Sequence, residues 1–258
     1  MATRTTAIVN LKGGVAKTTT VINLASILAR EHKAKVLVVD ADSQCNVTEF
    51  FGGEDTGRSL ATLLRGAYLY EDPGAYAASC IQKTEYENIG LLPADETLMD
   101  MDLSKVEAGT VSANALRYLV EEVRHQYTHI LIDCPPAFNA ASAAALVAAD
   151  DVIIPIKLDA FSLRGMANLM RQVKNMRRIN PRLRVAGILP TMWYKDDQIL
   201  DAENQLRKSG LHVFHHIRRS DKVDKMTFLQ DPLPICSPNS AAGVDYRKFA
   251  AQYMGVKK

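Results

Sequence analysis

The chain has 258 residues, 47% of them hydrophobic and 23% charged, with a formal net charge of only +2. This is the make-up of a water-soluble globule large enough to bury a core without staples. It argues against a disordered tail, a disulfide scaffold and a membrane-spanning chain, since no apolar run approaches the ~20 residues that a bilayer requires. Four cysteines, Cys45, Cys80, Cys134 and Cys236, are scattered without C-x-x-C spacing, so neither a zinc site nor a disulfide framework is expected. The near-neutral total hides an asymmetry. From Glu49 to Glu122 fourteen acids stand against five bases, and from Arg164 to Lys225 fourteen bases stand against six acids.

In chain order, an apolar run at 6–9 predicts a short buried strand, and 21–29 has the spacing of a helix. Between them lies Asn10-Leu11-Lys12-Gly13-Gly14-Val15-Ala16-Lys17-Thr18-Thr19-Thr20. A glycine pair between strand and helix lets backbone N–H groups converge on an anion, and the helix start adds unpaired amides and its positive dipole end. In such a loop Lys17 brings charge to the β- and γ-phosphates of a nucleotide, and the Thr18 hydroxyl suits magnesium. A continuous apolar run at 35–39 predicts a strand buried on both faces. It delivers Asp40-Ala41-Asp42-Ser43-Gln44 to its carboxyl end, where two close carboxylates need a cation or a polarised water between them.

Residues 48–110 are less regular. A helix is expected at 59–65 with Ser59 as its cap, a strand at 89–92 ended by Pro93, and a short amphipathic helix at 98–103. Helical spacing resumes at 113–124. The run His129-Ile130-Leu131-Ile132-Asp133-Cys134-Pro135-Pro136 then reads as a core strand ending in a carboxylate suited to magnesium-bound water. An alanine-rich helix at 140–149 and a strand from 150 to 156 follow, then Ser162-Leu163-Arg164-Gly165 and a long helix through Arg178. In that long helix Met166, Leu169, Met170 and Val173 face inward, and Arg171, Lys174, Arg177 and Arg178 face outward. Residues 185–192 predict a strand that opens toward the lone tryptophan, Trp193, and a helix is expected at 196–208. His212, His215 and His216 are too irregularly spaced for metal ligands. A basic loop at 217–226, a proline-rich stretch at 232–240 and a final helix at 241–254, followed by 256–258, complete the chain.

The pattern x-K-G-G-x-x-K-[ST] at 11–18, D-x-D-x-Q at 40–44 and D-C-P-P at 133–136 resembles the deviant Walker A ATPases of the ParA/MinD family over nearly the whole chain. Two departures stand out: Ala16 occupies a position where glycine is usual, and Ser43 one where proline is usual. The resemblance implies a single-domain P-loop NTPase fold, α/β, with a mostly parallel twisted sheet flanked by helices on both faces. It implies an ATPase using ATP and Mg2+, with Lys12, Gly13, Gly14, Val15, Ala16, Lys17, Thr18 and Thr19 cradling the phosphates. Lys12 would be the signature lysine that reaches the partner's ATP in a sandwich homodimer, and Asp42 would aim the attacking water. Thr18, Asp40 and Asp133 would serve the metal, and Thr191, Met192, Pro232 and Pro234 would lie against the base. Non-specific DNA would meet Arg218, Arg219, Lys222 and Lys225, joined by Arg177 and Arg178, and a ParB-like protein would stimulate hydrolysis. With no operator-binding segment or export signal ahead of the loop, the resemblance points to the small ParA type, cytoplasmic and nucleoid-associated. The alternative within the family is a MinD-like membrane switch, for which the weakly apolar stretch 249–255 is a poor anchor.

Overall fold

A computed structural model describes residues 3–66 and 71–255, apart from the side chains of 160, 161, 163 and 164. Strands β1 (Arg4–Ile8), β2 (Val36–Asp40), β3 (Gln82–Lys83), β4 (Ile89–Leu92), β5 (His129–Asp133), β6 (Asp151–Lys157) and β7 (Arg184–Thr191) form one sheet in the order β3-β4-β2-β5-β1-β6-β7. All pairings are parallel except β3 with β4. Strand alternation divides the core in two. On β2, Leu37 and Val39 join a cluster on one face while Val36 and Val38 join another on the opposite face. That is why these strands read as unbroken apolar runs.

The helices follow from their caps and apolar stripes. They are α1 (Lys17–His32), α2 (Asn46–Phe50), α3 (Leu60–Gly66), α4 (Pro73–Ser79), α5 (Leu103–Glu107), α6 (Ala115–Val123), α7 (Ala140–Ala148) and α8 (Ala160–Met176), then α9 (Asp197–Lys208), α10 (Lys222–Leu229), α11 (Leu233–Cys236) and α12 (Ala241–Tyr253). Leu116, Leu119 and Val123 of α6 and all of α7 bury on one face of the sheet. On the other, α1 packs with α12 through Leu24, Ile27, Leu28, Tyr246, Phe249 and Tyr253.

Several expectations are corrected. The helix at 98–103 is two elements, because Asp95 caps a 3-10 turn at Glu96–Asp100 and Asp102 starts α5 afresh by accepting from the Lys105 amide. The basic loop at 217–226 is loop only to Asp221, after which α10 begins. The long helix already includes 162–165, starting at Ala160 with Asp159 as its cap, and it ends at Met176, short of the expected 178. Helices α2 and α4 and the two-residue edge strand β3 give no clear periodic signal in so few residues. Residues 256–258, expected as the end of the tail, lie outside the described residues.

Candidate nucleotide-binding site

Register brings the chemistry together. Ile8 of β1 and Asp40 of β2 are both Cα partners of Asp133 of β5, so three strands end level at the sheet's carboxyl edge. The loop after β1 therefore lies beside both acidic turns, at the crevice where ligands gather in open α/β sheets.

The loop is shaped for an anion. Gly14 has φ +68°, the left-handed region, and a Cβ added at Gly13 or Gly14 would meet no atom within 4 Å. Ala16, the N-cap of α1, is also left-handed at φ 64°, ψ 35°. Its methyl offers no cap, and the first turn of α1 carries no acid, so the amides there depend on a ligand or water. Asn10 braces the entry, donating to the Pro155 carbonyl at 2.7 Å and accepting from the Lys12 amide at 3.0 Å. The Lys17 ammonium, folded back over the loop, donates to the Lys12 carbonyl at 3.3 Å. Burial lowers its pKa, opposed by Asp133.

Asp133 has a conspicuous unmet need. One carboxylate oxygen accepts the Thr18 hydroxyl at 2.6 Å, while the other, Oδ1, is buried without a hydrogen-bond partner among the described residues. Burial pushes this carboxyl well above the ordinary range, as does the neighbouring Asp40, against the pull of Thr18 and Lys17. An orphaned carboxylate oxygen beside a threonine hydroxyl is a hard, all-oxygen donor set of the kind Mg2+ prefers. The residues present therefore fit the metal that such a loop uses.

Asp40 is differently employed. One oxygen accepts the Asp42 amide at 3.1 Å, and the other accepts both the amide and the hydroxyl of Thr48, each at 2.8 Å. Burial raises its carboxyl to about 6 despite those bonds. One oxygen thus braces the Asp42 turn and the other anchors α2 through Thr48, beside the metal duty that the resemblance implies for this residue. Asp42 accepts the Gln44 amide at 3.1 Å and is 8% exposed at the edge of the crevice.

Lys12 points away from its own loop. Its ammonium donates to both oxygens of Asp159 at 3.0 and 2.8 Å and to the Ser162 hydroxyl at 3.0 Å, across to the start of α8. Burial alone would raise the Asp159 carboxyl, yet the bonds from Lys12 and Ser162 hold it down to about 2. Sequence reasoning missed Asp159. Its signal was an acid three residues ahead of Ser162 at a helix start, where the Asp159 side chain accepts the Ser162 amide at 2.8 Å.

The expected base contacts are divided. Thr191 is 1% exposed and spends its hydroxyl on the Val15 carbonyl at 3.1 Å, tying β7 to the loop. Met192 follows at φ 52°, and Pro232 and Pro234 are buried at the start of α11. The basic residues do not form one cluster. Arg218 pairs with the fully buried Asp245, Nε to Oδ2 at 2.6 Å, and Lys222 pairs with Asp221 at 3.1 Å. Arg177 donates to the Leu183 carbonyl at 2.8 Å, just before β7, whereas the bridge from Trp193 to Arg218 lies just beyond its other end. The eight residues of β7 separate the two groups by about 26 Å at the rise of an extended strand. His215 and His216 bond Asp245 and Glu203, and no group of three or more His, Cys, Asp or Glu that could hold a metal occurs among the described residues.

The comparisons agree with this geometry. The family model described as AAA domain matches residues 3–185. The chain is 38% identical over 263 residues to the chromosome partitioning protein ParA of Caulobacter vibrioides, covering 99% of this chain and 95% of the relative. It is 34% identical over 223 residues to the sporulation initiation inhibitor protein Soj of Bacillus subtilis, covering 85% and 81%. Its fold superimposes on an ATP complex of a Cyanothece McdA variant with a TM-score of 0.82 at 22% identity, covering 99% and 98%. With the phosphate loop, the aligned carboxylates and a relative this similar along its whole length, the chain belongs to the ParA/MinD family of P-loop ATPases.

Proposed function

We propose that this Mg2+-dependent ATPase is a DNA-partitioning switch: ATP joins two copies into a sandwich, the joined form holds DNA without reading its sequence, and a ParB-like partner stimulates hydrolysis and release. The observation that carries the reading is Lys12, a cation placed at the phosphate loop yet turned from it onto Asp159. A lysine serving only its own nucleotide has no reason to leave the loop, whereas one that serves a partner's must be mobile across the dimer face.

In this reading the amides from Gly13 to Thr19 and the Lys17 ammonium hold the phosphates, and Thr18 with Asp133 hold the metal. The metal, when bound, neutralises charge on the phosphoryl oxygens. Lys17 and the partner's Lys12 add positive charge where negative charge builds in the transition state. Asp42, steadied by Asp40 through its amide, orients the water. DNA contact falls first on Arg219 and Lys225, which are exposed and pair with no carboxylate among the described residues, with Arg218 and Lys222 beside them. Arg177 and Arg178 would form a second contact at the far edge of the sheet.

The membrane-switch alternative gains nothing from the structure. Tyr246, Phe249 and Tyr253 of α12 are buried against α1, so its apolar face is already used, and no described helix is long and apolar enough to cross a membrane. The testing experiment is DNA co-sedimentation with ADP, ATP and a non-hydrolysable analogue over a salt series. Binding confined to the triphosphate states and falling steeply with salt is expected. Equal binding with ADP, or binding to liposomes in place of DNA, would contradict the proposal.

A further inference from the structure

Outside the loop, one fully buried polar side chain joins α1 to two neighbouring segments that lie more than 200 residues further along the chain. Asn23 of α1 is 0% exposed. Its amide nitrogen donates to the Thr19 carbonyl at 2.8 Å and to the Met226 sulfur of α10 at 3.2 Å, and its oxygen accepts the Leu233 amide at 2.9 Å. Each donor and the acceptor is used, in a place where an unmet one is costly.

The Leu233 bond is singular for a chemical reason. Leu233 stands between Pro232 and Pro234, and proline has no N–H, so across 232–234 the backbone has one donor with which to attach itself. That donor goes to Asn23. The same asparagine sits one turn beyond Thr19, at the start of the helix whose first amides face the phosphates. Asn23 therefore makes the one polar tie between the phosphate cradle's helix and the 232–234 segment, beside the packing of Leu233 in the core shared with α1.

We propose that Asn23 is a positioning residue for base selection, holding the 232–234 wall at the distance from the phosphate loop that an adenine nucleotide spans. This rests on the reading that Pro232 and Pro234 line the base. Asn23 touches neither base nor phosphate and acts through the wall.

The test compares ATP, GTP and inorganic tripolyphosphate, which has the phosphates and no base, as ligands for the full chain and for N23A. Losing a buried hydrogen-bond partner is worth roughly tenfold or more, so N23A should weaken ATP by about that factor and bring the ATP-to-GTP ratio toward one. Tripolyphosphate affinity should stay unchanged, which general damage to the fold would not allow. P234G separates the inference from the reading beneath it. If P234G alters the ATP-to-GTP ratio and N23A does not, the clamp is wrong and the base wall stands; if P234G leaves the ratio alone, the base wall fails and the clamp with it. Should N23A not fold, NMR amide exchange on the unaltered protein decides. The clamp requires Leu233 N–H to exchange as slowly as the amides of central α1, and fast exchange at Leu233 overturns it.

Discussion

The phosphate-loop crevice and the basic segment 217–225 are both rich in charge at the same edge of the sheet, yet they are built oppositely. In the crevice, needs are left unmet: among the described residues Asp133 Oδ1 has no partner, Ala16 holds a left-handed backbone, and the first turn of α1 has no side-chain cap. In the basic segment, Arg218 and Lys222 are met inside the chain, and only Arg219 and Lys225 pair with no carboxylate among the described residues. Asp245 takes the Arg218 guanidinium, the Arg218 amide and His215, and Asp221 takes Lys222. Unsatisfied groups at a pocket mark where a ligand completes the structure, whereas paired charges mark where the structure completes itself. A count of basic residues cannot tell these two apart, and their partners can.

The largest expected effect breaks the crevice. K17A removes the buried cation facing the phosphates, and ATP turnover, followed by phosphate release, should fall by roughly 10²- to 10³-fold. Turnover within a few-fold of the unaltered protein would detach Lys17 from the chemistry.

Next comes the paired side of the contrast. D245N removes the buried acceptor of Arg218 and His215 but leaves a guanidinium that is 41% exposed, so it should cost about 1–3 kcal/mol in urea or thermal unfolding. The pH dependence has a definite sign. Burial would raise the Asp245 carboxyl, but the bonds from His215 and Arg218 hold it below the ordinary range. A lowered folded-state pKa gives stability that is full above the ordinary carboxylate value of about 4 and is lost as pH falls below it. D245N should therefore unfold less steeply with acid than the unaltered chain. An identical acid profile would show that Asp245 carries no folding energy.

Sharper still is the distinction within the basic segment. R219A and K225A, which break no ion pair among the described residues, should leave stability within about 0.5 kcal/mol. Each should also reduce the slope of log affinity for DNA against log salt by nearly one unit per subunit, the share of one phosphate contact. A slope that stays the same in both variants would move the DNA contact elsewhere, with R177A and R178A the next to examine.

The smallest effect concerns Ala16. At φ 64° its Cβ carries a left-handed penalty of roughly 1 kcal/mol that glycine does not. A16G should raise the melting temperature by a few degrees. A lower melting temperature would mean that the methyl packs usefully.

Most of the sheet was legible because strands buried on both faces leave continuous apolar runs, and the bounds of β4 and β5 were readable at 89–92 and 129–133. The phosphate loop, Asp42 and Asp133 could be picked out as candidates because each follows or ends an apolar run that the sheet brings to one edge. Asp159 and Asn23 were not. Their partners lie 147 and up to 210 residues away, and nothing local distinguishes a capping aspartate or a helical asparagine that has such a partner from one that faces water. The start of α10 was hidden for a related reason: with Met226 its one buried residue, it shows no helical stripe.

The central claim is that Lys12 leaves Asp159 to serve a partner's triphosphate. Light scattering with a non-hydrolysable ATP analogue, on the unaltered chain and on K12A, tests it directly. The account predicts a dimer for the unaltered protein and a monomer for K12A, with both binding the nucleotide. A K12A chain that dimerises as fully as the unaltered one, or an unaltered chain that stays monomeric when saturated, would contradict it.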